Sequence, residues 1–326
     1  MMKNKNGIIV ALALIILYLI LYLSKINEGI FSYKAGVYIS ILIAILFAVS
    51  LNVTVGVMGQ LNLGFAGFIS IGAYTGAVIT RSLAKINFND NIKLVIAILV
   101  AGLVSGIFGI LVSIISLRLR GDYLAIITLA FGEIIQYIIQ NIDYLGGAAG
   151  FKNIPIYTNF TNTYIIVAIS LVIIIQLMTS KYGRAVLSVR EDEIASENLG
   201  ININKVKVYG FFVSSFFAGV GGVLFAHNLG ILTPDKFSFV YSIDILVMVV
   251  FGGIGSITGS ILSASFITLI NEVLRSLSEY RVLIYSLVLI MIMIFKPSGL
   301  LGTNELSFKS IRRKLKNVIR NKKYGD

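Results

Sequence analysis

The sequence contains no cysteine and no tryptophan among its 326 residues, and only three prolines and one histidine. Without cysteine the chain forms no disulfide, thiol nucleophile or cysteine-bound zinc site. Only 13% of the residues are charged, whereas 57% are hydrophobic. Several apolar runs exceed the ~17 residues needed to cross a hydrocarbon core about 30 Å thick. The composition therefore predicts an all-α polytopic membrane protein.

The sequence also lacks the motifs of the common enzyme classes. No GxxxxGK[ST] loop occurs, so this chain has no phosphate-binding loop for a nucleotide. The single histidine, His227, lies at the predicted end of a span and is interpreted as a polar interfacial residue. No Ser-His-Asp set stands out. We expect neither enzymatic activity nor a metal or cofactor in this chain.

The hydropathy pattern predicts about ten membrane-spanning helices, with eight as the lower bound. The first apolar run resembles a signal peptide, but no cleavage site of small residues follows it, so we interpret it as an uncleaved span. The stretch 237–275 is too long for one crossing, and glycines from Gly252 to Gly259 divide it into two. The other predicted spans are 7–24, 35–57, 63–80, 93–116, 122–141, 163–179, 206–229 and 280–296.

Lysine and arginine set the predicted orientation, because cytoplasmic segments carry an excess of them. The tail carries eight between positions 309 and 323. We therefore place both termini, the loop 181–205 and the glycine break near Gly255 in the cytoplasm. Residues 1–302 form one predicted transmembrane domain, and 303–326 form a basic tail. Beside a membrane span, such a tail is expected to contact anionic lipid headgroups rather than nucleic acid.

The loop 181–205 is unusually polar for this chain. Ser188 and Glu191 have the spacing of a capping box, and Gly200 suits a helix end, so the pattern predicts a short helix over 189–199. Such a helix is not stable alone in water. It either rests on the ends of its own spans or docks a soluble cytoplasmic partner. Its acidic residues are Glu191, Asp192, Glu193 and Glu197, and its apolar patch is formed by Ile194, Ala195 and Leu199.

Polar residues inside the predicted spans are a second group of candidates. Glu133 lies near the middle of the span 122–141. A charged side chain at that depth costs about 2.5–3.5 kcal/mol on insertion scales and usually faces the bundle interior or a water-filled path. Asp244 and Asn52 also lie within predicted spans. Each residue either lines and gates a path or locks neighbouring helices together, and the sequence leaves both interpretations open.

An ordered set of short motifs resembles a known family. The stretch 59–68 reads GQLNLGFAGF and is followed by Gly72; 117–126 reads LRLRGDYLAI. The later motifs are GGAAGF at 146–151, REDE at 190–193, GGIGS at 252–256 and FKPSGL at 295–300. In this order they resemble the permeases of branched-chain amino acid ABC importers, in particular the M-type subunit, over about residues 35–302. The motif glycines are Gly64, Gly72, Gly121, Gly252, Gly253 and Gly255.

The resemblance implies a function and a set of partners. It implies an importer of branched-chain, aliphatic amino acids in a bacterial cytoplasmic membrane. The implied partners are a second, H-type permease, two ATP-binding subunits that bind the ATP, and an extracytoplasmic solute-binding protein. It also implies that the loop helix is a coupling helix for the ATPase, although the family's usual glutamate is displaced here to Glu193. The implied coupling residues are Glu191, Asp192, Glu193, Ala195, Leu199 and Gly200.

Other functions remain open at the level of sequence. A urea or short-chain amide permease of the same superfamily would have the same motifs. An ion-coupled secondary transporter could use Glu133 and Asp244. A structural membrane protein without transport activity is a third possibility.

Overall fold

The computed structural model describes residues 33–84, 89–117, 119 and 121–277, together with positions 286, 287, 290, 294, 299 and 302. The predicted span 7–24 and the basic tail 303–326 lie outside the described residues. The predicted span 280–296 is described only at four isolated positions, so the total of ten spans stays a prediction.

The described part of the chain is all-α, as predicted. Its only β-type pairing is an isolated antiparallel bridge between Phe151 and Leu232. The helices are α1 (Tyr33–Asn52, continued by a π-helical turn at Val53–Val57), α2 (Phe65–Leu83), α3 (Asp90–Ser116), α4 (Asp122–Gln140), α5 (Phe160–Thr179), α6 (Lys181–Glu191), α7 (Glu193–Asn198), α8 (Ile203–Leu229), α9 (Phe239–Gly252) and α10 (Ile257–Val273).

Five of the described helices are long and apolar enough to cross a membrane: α1 with its π-helical turn, α3, α4, α5 and α8. They match the predicted spans 35–57, 93–116, 122–141, 163–179 and 206–229 in position. The predicted span 63–80 corresponds to α2. Most residues of this helix are buried among the other helices. The described structure is therefore that of a polytopic membrane protein.

Small residues let the central helices approach closely. The helices α2 and α8 lie side by side, and a Cβ atom added to Gly72 would lie 2.3 Å from the Cα of Gly219. Ser105 of α3 donates from its hydroxyl to the carbonyls of Phe68 and Ser215, at 3.0 and 2.8 Å. Close backbone contact and interhelical hydrogen bonds are the usual means of helix association in lipid. The core of the bundle is therefore the triple packing of α2, α3 and α8.

The apolar stretch 237–275 divides into two helices at the predicted glycine break, and the two predicted crossings stay a prediction. The helices α9 and α10 pack against each other, and the break between them contains Gly253 and Gly255 with φ of 112° and 90°. Such positive φ values are accessible to glycine at little cost, which explains why the helix stops here. The helix α9 has 14 residues and is therefore only about 21 Å long, less than the ~30 Å of the hydrocarbon core.

His227 differs from its prediction as an interfacial residue. Its side chain is fully buried at the end of α8. The Nδ1 atom lies 2.6 Å from the carbonyl oxygen of Pro155, and the ring stacks on Tyr157 at 5.4 Å. The segment around Pro155 folds over the end of α8, which removes the histidine from the surface.

Candidate functional site

The loop 181–205 folds as two helices rather than the single predicted helix over 189–199. The Ser180 hydroxyl accepts the N–H groups of Tyr182 and Gly183 and thereby starts α6. The Oδ1 atom of Asp192 accepts the N–H groups of Ile194 and Ala195, at 2.9 and 3.0 Å, and starts α7. A carboxylate that caps two N–H groups stabilises a helix start, so the chain turns at Asp192.

The predicted capping box at Ser188 and Glu191 is therefore wrong. Ser188 lies within α6, where its hydroxyl donates to the carbonyl of Ala185 at 3.0 Å. The predicted helix end at Gly200 is confirmed. Gly200 has φ of 81°, and its N–H group donates to the carbonyl of Glu197 at 2.9 Å.

The apolar patch of the loop points away from the described helices. Ile194 and Leu199 are 69% and 80% exposed, and Ala195 is also exposed. The opposite side of α7 carries the buried Ser196. Of the two interpretations of this helix, contact with the chain's own spans does not account for the patch. An exposed apolar patch on a short charged helix is typical of an interaction surface.

Glu193 occupies a different position from the other acidic residues of the loop. Its Oε1 atom lies 2.7 Å from the Nζ atom of Lys207 near the start of α8, and the lysine side chain is only 4% exposed. Glu191 and Asp192 are exposed. The structure thus separates the predicted coupling residues into an anchor, Glu193, and a set of residues on the surface.

A second contact ties the loop to the bundle through Arg190. The Nη1 atom of Arg190 donates to the carbonyl oxygen of Gly56 at 2.6 Å, within the π-helical turn that ends α1. Next to it, the Oδ1 atom of Asn52 accepts the N–H group of Gly255 at 2.9 Å. We call Asn52, Gly56, Arg190 and Gly255 the Arg190 junction. It joins the loop, the end of α1 and the break between α9 and α10.

Glu133 of α4 contacts the start of α9. Its Oε1 atom accepts the N–H group of Phe239, the first residue of α9, at 3.0 Å. Glu133 itself is near the middle of α4 and half-buried. The helix α9 therefore begins at the mid-depth of the bundle and runs from there towards the end that carries the loop. A carboxylate at a helix start is stabilised by the helix dipole.

The start of α2 is also inside the bundle. The N–H group of Leu63 donates to the Thr128 hydroxyl at 3.1 Å, and the N–H group of Ala66 donates to the Ser242 hydroxyl at 2.9 Å. Gly64 lies directly against α4, since an added Cβ atom would be 1.7 Å from the Thr128 carbonyl oxygen. The amino ends of α2 and α9 thus meet beside α4, and each is capped by side chains of neighbouring helices.

The three polar residues predicted to line or gate a path are not brought into one site. Glu133 contacts the start of α9, and Asn52 contacts the break that follows the end of α9. Asp244 lies between these two levels on α9 and is half-buried. Asn52 is fully buried, and its Nδ2 atom has no hydrogen-bond partner among the described residues. The predicted residues are therefore spread along the length of α9.

The motif glycines lie mainly at helix contacts and helix ends. Added Cβ atoms on Gly64, Gly72 and Gly252 would collide with the backbone of a neighbouring helix. Gly121 precedes α4, and Gly253 and Gly255 form the break after α9.

Sequence reasoning had not singled out Arg190 or Lys207. Arg190 was visible only as the first residue of the REDE motif, and Lys207 only as a cation at the start of a predicted span.

Comparison with known proteins gives consistent matches. The family model described as the branched-chain amino acid transport system / permease component matches residues 32–296. The chain is 35% identical over 295 residues to the high-affinity branched-chain amino acid transport system permease proteins LivM of Salmonella typhimurium and Escherichia coli, covering 80% of this chain and 68% of those proteins. It is 24% identical to the LivH permease of Escherichia coli, covering 80% of this chain and 92% of that protein. No solved structure matches the chain significantly.

Proposed function

The chain belongs to the family of branched-chain amino acid transport system permease components, and we propose that it is the permease subunit of an ATP-driven importer of branched-chain amino acids. The observation that carries this proposal is the 35% identity to two LivM permeases over 80% of the chain. The bundle of apolar helices supports a role within the membrane. The chain would form the path, and the energy would come from ATP bound by separate subunits.

The proposed complex contains a second, H-type permease, two ATP-binding subunits and an extracytoplasmic solute-binding protein. The parallel similarity to LivM and LivH of one organism supports a pair of related permeases. In this arrangement the chain crosses a bacterial cytoplasmic membrane ten times, with both termini and the loop 181–205 in the cytoplasm. Residues 1–302 form the permease domain, and the basic tail 303–326 contacts lipid headgroups.

The loop 181–205 is the proposed docking surface for an ATP-binding subunit. The exposed patch of Ile194, Ala195 and Leu199 supplies the apolar contact, and Glu191 and Asp192 border it. The ion pair between Glu193 and the buried Lys207 supports this role because it fixes α7 against α8. A fixed helix loses little conformational freedom when a partner binds. Gly200 follows α7 and stops the helix there, so that Leu199 of the patch stays exposed at the end of the helix.

The proposed path runs along α9, past Glu133, Asp244 and Asn52. The amino ends of α2 and α9 meet beside Glu133, so movement of either helix would change the bundle at mid-depth. Discontinuous helices that begin inside a membrane are typical of transport sites. Small and apolar residues suit a zwitterionic amino acid with an aliphatic side chain. A permease that held the substrate tightly would slow its release, so the binding protein would supply most of the affinity.

Transport by the assembled complex in liposomes tests the proposal. We expect uptake of leucine, isoleucine and valine that requires the binding protein and ATP on the side of the ATP-binding subunits. Uptake of urea or short-chain amides without uptake of leucine would contradict the substrate class. Uptake driven by an ion gradient through the purified chain alone would contradict the ABC mechanism.

The docking surface is tested at two exposed positions, Glu197 in α7 and Leu199 directly after it. Leu199→Asp places a charge in the apolar patch and is expected to abolish co-purification of the ATP-binding subunits. Glu197→Ala is the matched control, because Glu197 is exposed on the same helix but lies outside the patch. Normal co-purification and transport by the Leu199→Asp complex would show that α7 is not the docking helix.

A further inference from the structure

We infer that Arg190 transmits movement of the loop 181–205 to the end of α1 and to the break between α9 and α10, and thereby links ATP hydrolysis to opening of the path. The inference rests on the proposed function, since it assigns the residue through which a docked ATPase acts. It starts from one side chain of the loop that reaches two other parts of the chain, the end of α1 and the break between α9 and α10. Arg190 belongs to α6, but its guanidinium lies beside Gly56 and Gly255 in the Arg190 junction.

The hydrogen bond to Gly56 is made where α1 has a spare acceptor. Carbonyl groups in the last turn of a helix have no partner within that helix. Here the last turn is π-helical, with the N–H group of Met58 donating to the carbonyl of Val53 at 3.1 Å. π-helical turns are rare, and those that occur are often found at functional sites. The guanidinium therefore holds a segment of α1 whose own hydrogen bonding is irregular.

Two glycines make room for the arginine. A Cβ atom on Gly59 would lie 2.9 Å from the Cγ atom of Arg190, and one on Gly255 would lie 3.1 Å from its Nη1 atom. Both glycines also have positive φ, of 70° and 90°. Glycine is thus required at these positions for the backbone conformation and for the space that the side chain occupies. The arginine fills the gap between the end of α1 and the break after α9.

The junction continues from Gly56 to the break. A Cβ atom on Gly56 would lie 1.8 Å from the Oδ1 atom of Asn52 and 2.4 Å from the backbone nitrogen of Gly255. The same Oδ1 atom accepts the N–H group of Gly255. A displacement of the Gly56 carbonyl therefore displaces its neighbours directly, because no free space separates them. Within the junction, Asn52 is the residue whose side chain reaches the proposed path.

The two contacts of the loop differ in kind. Glu193 and Lys207 form a pair of opposite charges in which the lysine side chain is 4% exposed and the glutamate side chain 26%. A charge as buried as that of Lys207 is costly to leave without its partner. Arg190 is 28% exposed, its hydrogen-bond acceptor is a neutral carbonyl, and its Nε atom lies 3.9 Å from the exposed carboxylate of Glu191. The Glu193–Lys207 pair therefore acts as the fixed point of the loop, and the Arg190 contact is the one that is made and broken as α6 tilts about it.

The test compares ATP hydrolysis with uptake in the same liposomes. Arg190→Gln removes the charge and the forked donor, and is expected to retain assembly and hydrolysis while leucine uptake per ATP falls about tenfold, the effect of losing one hydrogen bond from a charged group. Arg184→Gln is the matched control. Arg184 is on the same helix and also donates to a backbone carbonyl, that of Thr179 at 3.0 Å, but this carbonyl is five residues away at the end of the neighbouring α5. The contact does not involve α1 or the break after α9, so the ratio of uptake to hydrolysis should not change in Arg184→Gln.

A lysine variant keeps the test decisive if Arg190→Gln does not assemble. Arg190→Lys retains the charge and a long stem but not the planar donor group. A lowered uptake-to-hydrolysis ratio in this variant supports the inference, and an unchanged ratio in either assembled variant overturns it. If the unmodified complex hydrolyses ATP but does not import leucine, the proposed function fails instead. The two failures are therefore distinguishable.

Discussion

The carboxylate of Glu133 accepts the N–H group of Phe239 at 3.0 Å and so joins the middle of α4 to the first residue of α9. These residues are 106 positions apart in the chain. The contact explains why a charged residue is retained at this depth. It satisfies a backbone donor that would otherwise be unpaired inside the bundle, and such a donor is costly where no water can replace its partner.

We predict that the acceptor oxygen at position 133 matters more than its charge. Glu133→Gln keeps an oxygen for Phe239 and should retain most leucine uptake. Glu133→Leu removes the acceptor, which should lower the free energy of unfolding by about 1–3 kcal/mol and reduce uptake. Thermal unfolding in detergent and uptake in liposomes measure the two effects.

The control for this prediction lies on the same helix face. The Oε1 atom of Gln136 is buried without a hydrogen-bond partner in the described part of the chain, so Gln136→Leu should change stability little. Wild-type uptake by the Glu133→Leu complex would remove Glu133 from the proposed path. A folded but inactive Glu133→Gln complex would instead favour the ion-coupled alternative.

We predict that the pair of Glu193 and Lys207 is coupled in stability. Glu193→Leu leaves the Lys207 charge buried, at 4% exposure, and should destabilise the protein by about 3–5 kcal/mol. Lys207→Met leaves a carboxylate that is 26% exposed and should cost less, whereas the double variant should recover most of the loss of Glu193→Leu. Glu191→Ala is the control, because its carboxylate is 76% exposed and 3.9 Å from Arg190. Additive effects of the two single substitutions would show that the pair is not a unit.

Several helices could be predicted from the sequence because long apolar runs determine where the chain crosses the membrane. The ends of α7 illustrate the limit. Gly200 was predicted correctly because a helix end depends on local conformation. The prediction of a helix start at Ser188 was wrong, because Ser180 and Asp192 are the residues that cap the starts of α6 and α7.

The contacts that define the candidate site could not be predicted in this way. Arg190 and Gly56 are 134 residues apart, and no local pattern identifies the partner of a donor at that separation. The short length of α9 was also missed. Hydropathy reports that the stretch 237–275 is apolar, but not that the helix begins at mid-depth, because that depends on the carboxylate of Glu133 from another helix.

We predict that Gly72 tolerates no side chain. Gly72→Ala places a methyl group within 2.3 Å of the Cα of Gly219, which forces α2 and α8 apart and should lower the melting temperature. Gly36→Ala is the matched control, since no atom of the described residues lies within 4 Å of the added methyl group. There alanine should be neutral or stabilising, because it favours the helix by up to about 1 kcal/mol over glycine. Equal melting temperatures for the two variants would contradict the close packing.

Single cysteines in this cysteine-free chain test the orientation and the depth of α9 together. Tyr144 and Ile254 are 70% and 42% exposed at opposite ends of the bundle, and Val240 is 64% exposed at the start of α9. A maleimide that cannot cross membranes reacts with thiolates in contact with water. Tyr144→Cys should be labelled in intact cells, and Ile254→Cys only after permeabilisation. Val240→Cys should stay unlabelled in both conditions because it faces lipid at mid-depth.

Labelling of Ile254→Cys but not Tyr144→Cys in intact cells would invert the orientation. Labelling of Val240→Cys in intact cells would show that α9 begins at the water interface or in a water-filled space, and the mid-depth capping by Glu133 would then need another explanation.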